Sequence, residues 1–283
     1  MKILYLTKGD HVDYQNDCTL IGLKELFGSD VVDYNKQEHN YVTYDEQKAK
    51  TLYGRGMSVT RVLDDLEVDR TDLTSKIKNK YFDYVVYGSI WRCNDYLDKI
   101  LEYYSPSKII AVDGEDETNI HPCVNKGILY FKRELINERP RVFPISFAIP
   151  TSKVNFNKNK TKDFSYITPL DKSTYIYNNE ADYYADYNEA RFGVTMKKAG
   201  WDCMRHYEIL ANGCIPYFLE IENCPKLTMQ SFPKDICTSI MRAKNVSFAD
   251  LYLNAVDRIE QHVLNNNTTK ALANYFIQTI TSI

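Results

Sequence analysis

Arg205, Glu208 and Asn212 stand at i, i+3 and i+7 within the stretch G-W-D-C-M-R-H-Y-E-I-L-A-N-G-C-I-P, residues 200–216. On a helix that spacing projects all three from one side. A guanidinium, a carboxylate and a carboxamide in a row make a ligand-facing stripe. Lys197 and Lys198 come just before the helix start, where free N–H groups and the positive end of the macrodipole favour an anion. A diphosphate fits there. Glu208, roughly two turns in, would then accept hydrogen bonds from a ribose diol, with Arg205 between the two. Trp201 adjoins the helix start and offers an aromatic face to a sugar or a base. On a solvated helix the same Arg205 and Glu208 would do no more than form an ion pair worth about 0.3–0.5 kcal/mol.

The other face carries Cys203, Tyr207, Leu210, Ala211 and Cys214, which is apolar enough to pack on a sheet. Gly213 stands where a C-cap glycine belongs, and residues 215–219 read as a buried strand. The pattern G-x4-R-x2-E-x4-G-x2-P resembles the donor-binding segment of GT-B glycosyltransferases. The fuller string K-K-A-G-W-D-C-M-R-H-Y-E-I-L-A-N-G-C-I-P is most similar to exostosin-like enzymes of glycosyltransferase family 47. The similarity covers about residues 192–218. A second, weaker one lies at Tyr130-Phe131-Lys132-Arg133-Glu134-Leu135, which resembles a segment near the domain junction of GT-B-like proteins.

The resemblance implies two Rossmann-like α/β/α domains facing a central cleft, with residues 1–150 on the acceptor side and 151–283 binding the nucleotide sugar. It implies Glu208 on the ribose and Arg205 on the diphosphate. The donor would be a UDP sugar such as UDP-xylose, and the acceptor a hydroxyl of a glycan or glycoprotein. Reaction would proceed with inversion, and the last helix would cross back to the first domain. Lys197, Lys198 and Arg205 would neutralise the leaving group, so neither a metal nor any other cofactor is expected. No D-x-D stands at a strand end to hold a metal diphosphate.

Inverting transfer needs a general base near the acceptor hydroxyl. Two loops after strands offer carboxylates. The first carries His11, Asp13 and Asp17 after the opening strand, where ligands of open α/β sheets bind. The second is Asp113-Gly114-Glu115-Asp116, whose acids repel one another and so raise at least one pKa. Asp13, Glu115 and Asp116 are the candidates, although such acids also cap helices or face water. Gly54-Arg55-Gly56 reads as a turn lining the cleft, Trp91 as a core or stacking residue, and His206 as a structural imidazole pointing away from the stripe. His121 is a loop residue.

A formal net charge of −3, from 35 basic and 38 acidic residues mixed along the chain, gives no footprint for nucleic acid or a membrane surface. A transferase acting on hydroxymethylated DNA bases would need a basic first half. A non-catalytic module that binds a glycan or nucleotide is the other alternative. Seven scattered cysteines without a C-x2-C pair read as free thiols. No signal peptide or apolar run of membrane length is legible, so the expected location is the cytoplasm, and the sequons at Asn245, Asn266 and Asn267 are incidental. The richness in Tyr, Lys, Asn and Asp suggests an AT-rich genome such as that of a large virus.

Apolar runs alternate with helical patterns as a parallel α/β sheet requires. Strands are predicted at 2–6, 31–34, 84–87, 108–112, 128–131, 141–143 and 164–168, with a strand or loop at 191–195. Helices are predicted at 18–27, 58–66, 72–80, 96–104, 180–190, 248–264 and 268–280. A polar, Asn- and Lys-rich linker spans 147–162.

Overall fold

The computed structural model describes residues 1–9 and 11–283. Its first half is a parallel sheet built from short apolar runs that are buried on both faces, the pattern parallel strands require. The strands are β1 (Ile3–Leu6), β2 (Val31–Asp33), β3 (Tyr84–Tyr87), β4 (Ile109–Asp113), β5 (Leu129–Lys132) and β6 (Val142–Pro144). They lie in the order β2-β1-β3-β4-β5-β6. The order reverses at β1, so its carboxyl end is the topological switch point at which open α/β sheets bind ligands. Alternate side chains divide between two layers. Ile3, Tyr5, Ile110 and Val112 pack under one set of helices, and Leu4, Leu6, Ile109 and Ala111 under the other.

The helices of this half are α1 (Tyr14–Phe27), α2 (Glu46–Ala49), α3 (Leu73–Lys78) and α4 (Leu97–Leu101). The helix predicted over 58–66 is absent. Ser58 and Arg61 sit at φ +63° and +55°, and Leu63 bridges to Tyr41, so the segment is a pinned loop.

The second half holds β7 (Lys162–Phe164), α5 (Glu180–Glu189), β8 (Ala190–Met196), α6 (Met204–Ala211) and β9 (Ile215–Leu219), with the three strands parallel in that order. The strand predicted at 164–168 thus lies slightly earlier in the chain. Three helices follow: α7 (Lys234–Arg242), α8 (Phe248–His262) and α9 (Thr269–Thr281). Sequence reading missed α7, although Ile236, Cys237 and Ile240 have helical spacing after Pro233, and all three are buried.

α9 packs on α1 of the first half, and Phe276 stacks on Phe131 of β5 with ring centroids 4.5 Å apart. Burying such a ring contributes roughly 1.5–3 kcal/mol. The two places where the chain passes between halves run side by side. Ile149 N–H donates to Asn267 at 2.9 Å, and Thr269 N–H donates to the Ile149 carbonyl at 2.8 Å. One apolar cluster runs from β1 through α1 and α9 to Phe192, Ile215 and Phe218 of the second sheet.

Candidate functional site

A cleft of about 560 Å³ lies between loops that leave the carboxyl ends of both sheets. From the first sheet come Asp13 after β1, Arg92 after β3, Glu115 and Asp116 after β4, and Arg133 after β5. From the second come Tyr175 and Tyr177 after β7, then Lys198, Asp202, Arg205 and Glu208 on the loop and helix after β8. The volume is within the range of small-molecule sites.

α6 forms one wall. Its C-terminus is closed by a Schellman motif in which Gly213 N–H bonds the Leu210 carbonyl at 3.0 Å and Cys214 N–H the Ile209 carbonyl at 3.3 Å. Gly213 adopts φ +63°, as that motif requires. Tyr207, Leu210 and Ala211 seal the helix onto the core, so Arg205 and Glu208 face the cleft. At the N-terminus Cys203 supplies no side-chain cap, which leaves first-turn N–H groups beside Met204 and Lys198 in the cleft wall.

Arg205 and Glu208 are each at least nine-tenths buried, at 9% and 7% exposure, and they form no ion pair within 4 Å among the described residues. A solvated helix-face pair is therefore ruled out. Arg205 donates from Nη1 to the Tyr175 hydroxyl at 2.8 Å and lies over that ring at 4.7 Å, while its Nε has no hydrogen-bond partner. Glu208 accepts from the Tyr183 hydroxyl at 2.7 Å on one oxygen and from the Ser58 hydroxyl on the other. Burial pushes its carboxyl above the usual range, against the pull of Ser58, Tyr183 and Arg205.

Three predicted donor-site residues fall outside the described cleft lining. Asn212 is the C-cap of α6, where the helix has already ended. It is fully buried and donates from Nδ2 to the Glu208 carbonyl at 2.9 Å. The i+7 position therefore does not continue the stripe. Trp201 packs against Phe218 and the core, and its main-chain N–H donates to Glu134. Lys197 is exposed, with its ammonium 5.5 Å from the Trp201 ring, and Lys198 alone of the two lines the cleft.

Asp13, Glu115 and Asp116 all reach the cleft, and each is in an ion pair. Arg92 Nη1 bridges Asp13 and Glu115 at 2.6 Å each. Asp13 also caps α1 by accepting from Asn16 N–H at 3.2 Å. Asp116 pairs with buried Arg133. Glu115 is half-buried, and desolvation raises its carboxyl pKa despite Arg92, with Asp13 and Asp113 adding to the rise. Asp17 is buried against His39 at 3.0 Å, behind the cleft.

Asp202 was missed in the sequence. It lines the cleft, is 3% exposed and accepts from Phe147 N–H at 2.8 Å. Burial lifts its carboxyl to about 6, although Arg133 and the Phe147 amide oppose the shift. Its position one residue before Cys203, the N-cap of α6, was the available signal. The other residue missed is Ser58, in a segment expected to be helical. The remaining sequence candidates have structural partners: His206 is buried between Thr195 and the Trp201 carbonyl, and Trp91 donates to Asp113 at 2.9 Å.

Among the described residues no group of three or more His, Cys, Asp or Glu side chains could hold a metal ion, and no helix is long and apolar enough to cross a membrane. Neither a protein-family model nor a curated protein sequence matches the chain.

Proposed function

We propose that the chain is a GT-B-like glycosyltransferase that moves a sugar from a nucleotide sugar to an acceptor hydroxyl. The observation that carries this reading is the row formed by the uncapped N-terminus of α6, Lys198, Arg205 and Glu208 along one wall of a cleft between two parallel sheets. The N-terminal N–H groups, Lys198 and the unpartnered Arg205 Nε suit a diphosphate. The two Glu208 oxygens have one donor each. A carboxylate accepts about four hydrogen bonds, so two positions remain for a ribose diol. Among nucleotides, UDP is favoured by the resemblance of residues 192–218 to exostosin-like enzymes, and a glycan is the acceptor that resemblance suggests.

The acceptor would enter from the first sheet, where Glu115 is the best-placed base by chemistry because it is half-buried and its carboxyl is raised. In the inverting step the acceptor oxygen bonds to the anomeric carbon as its proton passes to the carboxylate. The bond from that carbon to the diphosphate breaks, and the electron pair leaves on the phosphate oxygen. Lys198, Arg205 and the helix N-terminus would stabilise that charge without a metal.

A second reading, a binding module without turnover, is favoured by the ion pairing of all three candidate bases. Calorimetric titration with nucleotides and nucleotide sugars, with and without a divalent cation, tests the donor site. Selective binding of one nucleotide sugar supports it, and silence across the panel overturns it. Release of free sugar from the bound donor then separates the enzyme from the binding module.

A further inference from the structure

The loop at residues 53–58 belongs to the first half of the chain, yet it reaches across to the second. Arg55 donates from Nη1 to the Tyr177 carbonyl and to Asn178 Oδ1, both at 2.6 Å. Ser58 N–H donates to Glu180 Oε1 at 2.6 Å, and Glu180 is tied in turn to Lys153. Four residues of this loop, Gly54, Arg55, Gly56 and Ser58, have φ between +56° and +74°. For arginine and serine that conformation costs about 1 kcal/mol each and persists only where the surroundings fix it. Ser58 is completely buried, lies outside the cleft lining, and donates its hydroxyl to Glu208, with the Tyr184 hydroxyl 3.2 Å from the same oxygen.

A carboxylate on a flexible side chain binds a diol well only when its oxygens are held in one plane and orientation. Tyr183 fixes one Glu208 oxygen from within the second half. The other oxygen is fixed from the opposite half, by Ser58 alone among the described residues.

We infer that Ser58 is a positioning residue for the nucleotide site: it orients the Glu208 carboxylate toward the ribose, so the first half completes a donor site built on the second. The inference rests on the nucleotide reading above. It assigns ribose recognition to a contact that forms only while the 53–58 loop stays docked on α5 and α6. Ser58 acts through Glu208 and does not touch the ligand.

The test is titration of the wild type, Ser58→Ala and Ser58→Gly with UDP and with 2′-deoxy-UDP. Glycine accepts φ +63° without strain, so Ser58→Gly removes the hydroxyl even if the alanine variant fails to fold. The wild type should prefer UDP, and both variants should bind UDP roughly tenfold more weakly while losing most of the ribose-over-deoxyribose preference. A purely structural serine would leave that preference intact, and an unchanged preference overturns the inference. Tighter UDP binding by the variants also overturns it, because Ser58 would then be a competitor for Glu208. A wild type that binds neither nucleotide refutes the nucleotide reading itself, an outcome distinct from failure of the Ser58 assignment.

Discussion

Arg133, on the loop after β5, donates from Nη1 to the main-chain carbonyl of Asp202 at 2.5 Å, so the first sheet holds the loop that starts α6. The same guanidinium reaches the Gly114 carbonyl at 2.9 Å, pairs with Asp116 and with Glu134, and lies 4.6 Å from the Phe147 ring centroid. Only 2% of it is exposed. Glu134 completes the junction by accepting from the N–H groups of Trp201 and Asp202 at 3.1 and 3.0 Å.

Replacing Arg133 with Met keeps much of the volume but leaves Glu134 buried without its guanidinium. Removing one member of such a buried network costs about 3–5 kcal/mol. Urea unfolding of Arg133→Met should show that loss, and Arg133→Lys should recover only part of it, because one ammonium cannot span four partners. A loss below about 1 kcal/mol, the level of a surface pair, would show that the junction is held by other contacts.

Glu208→Gln keeps the shape of the side chain and removes its charge. Hydrogen bonds to a charged group are worth about 1.5–3 kcal/mol, so Glu208→Ala should weaken UDP binding by that amount and Glu208→Gln by less. Titration of pyrophosphate with the same variants should show little change, since the diphosphate end of the site is untouched. Equal losses for UDP and pyrophosphate would place Glu208 outside the ribose site.

Arg205 is a buried cation without a carboxylate within 4 Å among the described residues, an arrangement that costs stability in the free protein. Arg205→Met should therefore raise the melting temperature of the unliganded protein while lowering its affinity for UDP toward that for uridine. The pair of effects is the signature of a group kept for a ligand. A variant that lost stability and kept its phosphate affinity would make Arg205 a structural residue.

The central sheet was legible because its strands are apolar runs between turn signals, and α6 because its apolar face and glycine stop agree. Helix periodicity carried the polar stripe one position too far: Asn212 has the correct spacing but lies beyond the last helical turn. Trp201 read as a ligand platform because its packing against Phe218 is a contact between elements, which spacing does not encode. Ser58 was hidden for a related reason. The apolar pattern of residues 58–66 suits a helix, and long-range contacts with Glu180, Tyr184 and Glu208 hold Ser58 in the left-handed region. Asp202 was not singled out, since its raised carboxyl follows from burial in the folded chain.

His206 gives the site a pH dependence whose direction can be worked out. Burial pushes its imidazole down to about 3, and the nearby positive charges of Arg205, Lys198 and Arg133 reinforce the shift. Its free value is about 6.5, so between those limits the unfolded chain binds a proton that the folded chain refuses. The stabilisation is complete above pH 6.5 and is lost as pH falls toward 3, a swing of about 5 kcal/mol. Asp202 acts in the opposite sense: its folded value of about 6 exceeds the unfolded one, so its contribution is present below pH 4 and is lost as pH rises through 6. The difference between wild type and His206→Gln isolates the histidine. Denaturant unfolding at pH 7 and pH 4.5 should show the wild type losing more stability than the variant, and parallel losses would mean that His206 takes up its proton while the protein is folded.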